Sequence, residues 1–161
     1  MTDWINIIGL MSGTSVDGLD VCYVSFPKNK IEEYEILNCT TVDYPTDLKN
    51  QLNNIINYDQ RKIKEIDLKF GEFIGLSINK FLKENKLDLP DLISSHGHTV
   101  FHNPEEKITY QIGNRSELSK SIALPVICDF RIQDVQLGGQ GAPLVPIGDL
   151  LLFKDYSHCL N

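Results

Sequence analysis

Cysteine is scarce in this sequence, and no two cysteines stand close together. Four of the 161 residues are Cys, at positions 22, 39, 128 and 159, so no C-x-x-C pair of the kind zinc or thiol exchange uses is present. They read as small hydrophobes in a reducing compartment. No apolar run approaches the ~20 residues that a membrane helix needs. Met1 to Leu10 carries Asp3 and neither a basic leader nor a small-residue cleavage site, so it is expected to be the first strand of a mature cytoplasmic protein. Positive charge is the minority sign: 15 Lys and Arg stand against 22 Asp and Glu, a net charge of −7, and no basic stripe forms. That argues against nucleic acid and anionic membrane as partners. A small anionic ligand remains open, because a local nest of backbone N–H groups binds phosphate on a protein of any net charge. Walker A, G-x-G-x-x-G and H-E-x-x-H patterns are also missing, as are repeats and low-complexity tracts.

What is present fits an ordinary globular chain: 42% apolar and 23% charged residues. Trp4 to Leu10 and Leu19 to Phe26 are apolar runs around a turn-rich Met11 to Ser15, a hairpin pattern, and Ile31 to Val42 supplies a third strand. Pro45 and Thr46 open a helix running to about Ile56, with Thr46 as its expected N-cap. Ile63, Ile66, Phe70, Phe73, Ile74, Ile78, Phe81 and Leu82 recur at three- and four-residue steps, the stripe of an amphipathic helix packed on a sheet. Leu92 to Phe101, Tyr110 to Gly113 and a buried Leu124 to Phe130 read as strands, and Ser116 to Ile122 as a helix. Three strands of meander followed by alternating helices and strands make an α/β fold with a mixed sheet. After a flexible Gly138 to Pro143, the residues Ile147, Leu150, Leu151 and Phe153 keep helical spacing and offer an apolar face.

Three stretches can carry chemistry. The turn Ser12-Gly13-Thr14-Ser15-Val16-Asp17-Gly18-Leu19-Asp20 combines glycines, hydroxyls and carboxylates, the parts that phosphate and Mg²⁺ require; the alternative is an ordinary polar hairpin. His96 and His98 stand at i and i+2, hence on one face of a regular strand, where they could hold a metal, hydrogen-bond a polar substrate, or be satisfied in the core. Asp129 to Asp134 sits where a strand is expected to end, so Arg131 could clamp an anion or simply pair with an aspartate.

The pieces I-G-L-M-S-G-T-S-V-D-G-L-D (Ile8 to Asp20), S-H-G-H-T-V (Ser95 to Val100), Q-I-G-N (Gln111 to Asn114) and D-F-R-I-Q-D-V-Q-L-G-G-Q-G-A-P-L-V-P (Asp129 to Pro146) together resemble the N-terminal half of the anhydro-N-acetylmuramic acid kinases. These belong to the actin, hexokinase and acetate-kinase superfamily. The resemblance implies a ribonuclease-H-like, actin-like ATPase domain over residues 1–137, a mixed sheet with helices on both faces, and a crossover at 138–161 into a second domain. It implies an enzyme that opens a 1,6-anhydro amino sugar with water and phosphorylates O6 from ATP, with Mg²⁺, in peptidoglycan recycling. By the same resemblance Gly13, Thr14, Ser15, Val16, Asp17, Gly18, Leu19 and Asp20 would cradle ATP phosphates, with Asp17 near Mg²⁺. His96, Thr99, Asp129, Arg131, Gly139, Gln140 and Gly141 would line the sugar side. A homodimer is implied, and the general base and adenosine pocket are expected beyond Asn161. Two other readings remain open from the residues: a non-catalytic binding module, and an H-x-H metal hydrolase.

Overall fold

The computed structural model describes residues 4–30, 32–114 and 116–157. Met1, Asp3, the expected strand start at Ile31 and Cys159 lie outside the described residues. Three strands open the chain: β1 (Trp4–Ser12), β2 (Leu19–Pro27) and β3 (Glu35–Val42). β1 pairs with β2 in the register Trp4↔Pro27 to Ser12↔Leu19, and β2 pairs with β3, both antiparallel. Helices α1 (Thr46–Asn53) and α2 (Gln60–Asn85) then carry the chain over one face of the sheet to β4 (Leu92–Asn103), which joins β1 in parallel. A parallel partner demands such a crossover, whereas the antiparallel strands need only turns. β4 is long enough to have two neighbours on its far side. Its first half pairs with β6 (Val126–Ile127) in parallel, and its second half with β5 (Ile108–Ile112) antiparallel. The sheet order is β3-β2-β1-β4-β5, a mixed sheet of the expected ribonuclease-H-like kind.

Ile8, Leu10, Val21, Tyr23 and Ile93 form the core face of the sheet and are buried in one cluster with Leu48 and Leu52 of α1, Ile66, Phe70, Ile74 and Ile78 of α2, and Leu118 and Ile122 of α3 (Ser116–Ile122). α2 shows why the apolar stripe was worth a helix: its interior residues recur at the helical period, Asp59 caps its start by accepting from Lys62 N at 2.7 Å, and Lys86 ends it in the left-handed conformation. The other face of the sheet meets α4 (Phe130–Gln136) and α5 (Leu144–Phe153); Ile5, Ile7 and Phe26 share a groove with Leu151 and Leu152. Helices thus lie on both faces.

Four sequence expectations change. The residue at the N-cap of α1 is Pro45, not Thr46, and no side chain caps that end; Thr46 is already helical, and Asp47 supplies the first-turn negative charge. The third strand begins at Glu35 rather than Ile31. The expected buried strand from Leu124 to Phe130 shrinks to Val126–Ile127, with Ile127 exposed, because Phe130 already starts α4. Finally, His96 and His98 do not share a face. Leu10 pairs with Ser95 and Ser12 with His98, so two residues of β4 oppose one of β1, a bulge. Gly97 sits in it at φ +71°. Burial accordingly changes phase, from Ile93 and Ser95 to His98 and Val100.

Candidate functional site

The turn between β1 and β2 is held from beneath and open above. Val16 adopts φ +52°, sends its side chain into the core and donates its N–H to the Gly13 carbonyl at 3.2 Å. Thr14, Ser15 and Asp17 are exposed. Ser15 Oγ donates to Asp17 Oδ1 at 2.9 Å, and this hydrogen bond, first among the causes, lowers the carboxyl below its ordinary value. An ionised, exposed carboxylate beside hydroxyls on a tight turn suits an anion's oxygens and a hard divalent cation together. Asp20 stands at the same end of the hairpin and accepts from Thr41 Oγ1 at 2.6 Å.

On the second face of the sheet a cleft of about 350 Å³ is lined by Asp20, His96, Arg131 and Gly141 among others. These come from three of the stretches that the sequence brings forward. Arg131 Nε donates to His96 Nε2 at 2.9 Å and Nη1 to the Gly141 carbonyl at 2.7 Å, so this arginine ties β4 to the glycine loop through two of its five donors. His96 Nδ1 lies 2.9 Å from the Gly97 carbonyl, which can only accept; Nδ1 therefore carries the proton and Nε2 takes the arginine's. Burial, chiefly, and the Arg131 charge hold the imidazole neutral by lowering its pKa. The loop itself is clamped at three more points. Asp134 Oδ2 accepts from Gly141 N at 2.6 Å, the Asp134 carbonyl accepts from Gly139 N at 2.8 Å, and His102 Nε2 lies 3.0 Å from the Gln140 carbonyl. Gly141 takes φ +71° with His102 and Val135 so close that a Cβ would come within 2.7 Å of each.

The remaining predicted residues are scattered. Thr99 Oγ1 is buried with no hydrogen-bond partner among the described residues, as is Oε1 of Gln111, its register partner on β5; neither residue lines the cleft. Asp129 sits at the start of α4 at φ +61° without capping it, and accepts from the Cys128 thiol at 3.8 Å instead of pairing with Arg131. Gly139 and Gln140 act through backbone atoms. The H-x-H pair, for which a metal was one of three open readings, is taken apart, since the bulge sends His98 into the core against Phe70, ring centroids 6.2 Å apart. Among the described residues no group of three His, Cys, Asp or Glu converges on a metal position. Two residues lie inside stretches that the sequence brings forward but have no role assigned there: Asp134, whose part shows only once the loop is seen to fold back on it, and Asn114, whose side chain bonds Ser95 Oγ at 2.8 Å and the His96 carbonyl at 3.2 Å, bracing the bulge.

Comparison with known proteins matches residues 5–160 to the family described as Anhydro-N-acetylmuramic acid kinase. The chain belongs to this family. The kinase of that name from Bacillus thuringiensis subsp. konkukian is 33% identical over 162 residues, covering 94% of this chain and 42% of the relative. Those from Sulfurimonas denitrificans (35% over 156 residues, 93% and 42%) and Actinobacillus pleuropneumoniae serotype 5b (38% over 146 residues, 86% and 39%) agree. The chain thus spans about two fifths of the length of the anhydro-N-acetylmuramic acid kinases it matches.

Proposed function

We propose that this chain supplies the phosphate-binding and part of the sugar-binding wall of an ATP-dependent kinase. That kinase would open the bridge of 1,6-anhydro-N-acetylmuramic acid with water and phosphorylate its O6, giving N-acetylmuramic acid 6-phosphate in peptidoglycan recycling. The observation that carries this reading is the cleft in which Asp20, at the end of the hairpin turn, meets His96, Arg131 and Gly141 in a chain matched to that kinase family over nearly its whole length. Gly13 to Asp20 would receive the ATP phosphates on backbone N–H groups and the Thr14 and Ser15 hydroxyls. Mg²⁺, held by Asp17 and the phosphates, would supply charge neutralisation. The Arg131 guanidinium has three further N–H donors for sugar oxygens, and neutral His96 keeps it in place rather than repelling it. Catalysis in such a site is positioning and electrostatics more than covalent chemistry. Thr99, Asp129, Gly139 and Gln140 would then support the sugar side from outside the cleft.

The remaining three fifths of the family's length would bring the general base and the adenosine pocket, with residues 1–137 as one domain and 138–161 leading to the other. No helix among the described residues is long and apolar enough to cross a membrane. A cytoplasmic homodimer is the assembly proposed. The test is ADP release by a full-length family protein carrying this segment, incubated with MgATP with and without the 1,6-anhydro sugar. Release that depends on the sugar and yields a 6-phosphate ester is expected. Release that ignores the sugar, or none at all, overturns the assignment.

A further inference from the structure

His98 lies beneath the hairpin turn rather than in the cleft, and the kinase reading makes no use of it. Its Nδ1 is 3.0 Å from Ser12 Oγ; Ser12 Oγ is 2.8 Å from the Tyr44 hydroxyl, which is 2.9 Å from the Gly18 carbonyl. His98, Ser12 and Tyr44 are all buried. Ser12 is the last residue before Gly13, and Gly18 follows Asp17, so this chain of contacts grips both ends of the turn. Tyr44 has one hydroxyl proton and the Gly18 carbonyl can only accept, so the proton of Tyr44 goes there. Ser12 then donates to Tyr44, and His98 must donate to Ser12. With each proton serving one bond, all three contacts are satisfied by a single tautomer, the one protonated on Nδ1.

We propose that His98 is a positioning residue for the turn: its Nδ1–H orients Ser12, Ser12 orients Tyr44, and Tyr44 holds the Gly18 carbonyl, fixing the separation of the ends of Gly13–Asp17. The same strand carries His96 to the cleft across the Gly97 bulge, so one element supports the phosphate turn and the sugar wall together. The consequence for nucleotide rests on the phosphate-binding reading above; the consequence for the turn does not.

The experiment uses this chain, isotope-labelled, with His98→Leu, which removes the donor, and His98→Asn, whose amide N–H replaces it at nearly the same reach. Imidazole nitrogen NMR of the unaltered protein should show Nδ1 of His98 protonated, and a proton on Nε2 instead overturns the proposal even if no variant folds. Amide exchange at Val16, whose N–H closes the turn, should rise on the order of tenfold in His98→Leu relative to the core amide of Ile93, and His98→Asn should recover most of it. Val16 unchanged, or Val16 and Ile93 loosened in parallel, contradicts a positioning role. MgATP titrated as a probe should shift the Gly13 to Asp20 amides, with His98→Leu needing on the order of tenfold more for the same shift. No shift in the unaltered chain contradicts the phosphate reading, while the exchange comparison still decides the role of His98.

Discussion

His96 and His98 are separated by one glycine, and burial keeps both imidazoles neutral for different ends. His96 offers Nε2 to an arginine at the cleft, while His98 offers Nδ1–H to a serine under the turn. Desolvation, and then the neighbouring His96, push His98 down to about 4 from 6.5. Between those two pH values the unfolded chain takes up a proton that the folded chain refuses, so stability falls as pH falls. The contribution is whole above pH 6.5 and gone below about 4, and it amounts to about 3 kcal/mol for His98. His96, lowered for the same reason, adds in the same direction. Urea unfolding at pH 7 and pH 4.5 should therefore show a marked acid loss that His98→Asn makes shallower. Equal losses in the two proteins would mean that His98 is not held neutral.

At the scale of elements, β4 is the strand on which the site depends, and its bulge is the feature that residue order hides. H-x-H on a regular strand puts both rings on one face; a glycine in left-handed geometry between them turns the second ring over. An alanine at 97 would adopt φ +71° and bring its Cβ within 2.6 Å of the Ile112 carbonyl. Gly97→Ala is expected to cost roughly 1–3 kcal/mol from the backbone conformation alone, read as a lower urea midpoint, and an unchanged midpoint would show that the bulge is not needed. Other elements are legible because burial imposes a period. The α2 stripe and the apolar runs of β1 and β2 survive intact, since each buries one face against the same core. α4 is not legible. F-R-I-Q-D-V-Q has β-branched residues and no side-chain cap, and only the packing of Val135 and the loop bonds to Asp134 and Arg131 make it a helix. The apolar Leu124 to Phe130 run misleads for the converse reason, because the left-handed Asp129 and the start of α4 at Phe130 take the chain off the sheet once Val126 and Ile127 have paired with Ile93 and Ser94.

The whole molecule sets two candidate sites along one sheet. The hairpin turn closes the end of β1 and β2, and the cleft opens on the second face behind it, with Asp20 at their junction. The glycine loop from 138 to 143 is held by Arg131, Asp134 and His102, all from the first 137 residues, and its Gly141 to Pro143 are part of the cleft wall. The sequence motifs identify these pieces, but their convergence depends on the sheet order and on the bulge, which no single motif contains. α5 keeps the helical spacing of its apolar stripe and leaves Ile147 and Leu150 exposed. In the proposed sugar kinase the Gly13 to Asp20 turn would hold the phosphates of MgATP, with Asp17 on the Mg²⁺. This role is tested most directly by the turnover of Asp17→Asn in a full-length family protein carrying this segment, with MgATP and 1,6-anhydro-N-acetylmuramic acid. ADP release is predicted to fall on the order of 10² to 10⁴ fold with thermal stability unchanged, whereas near-normal turnover would contradict the account.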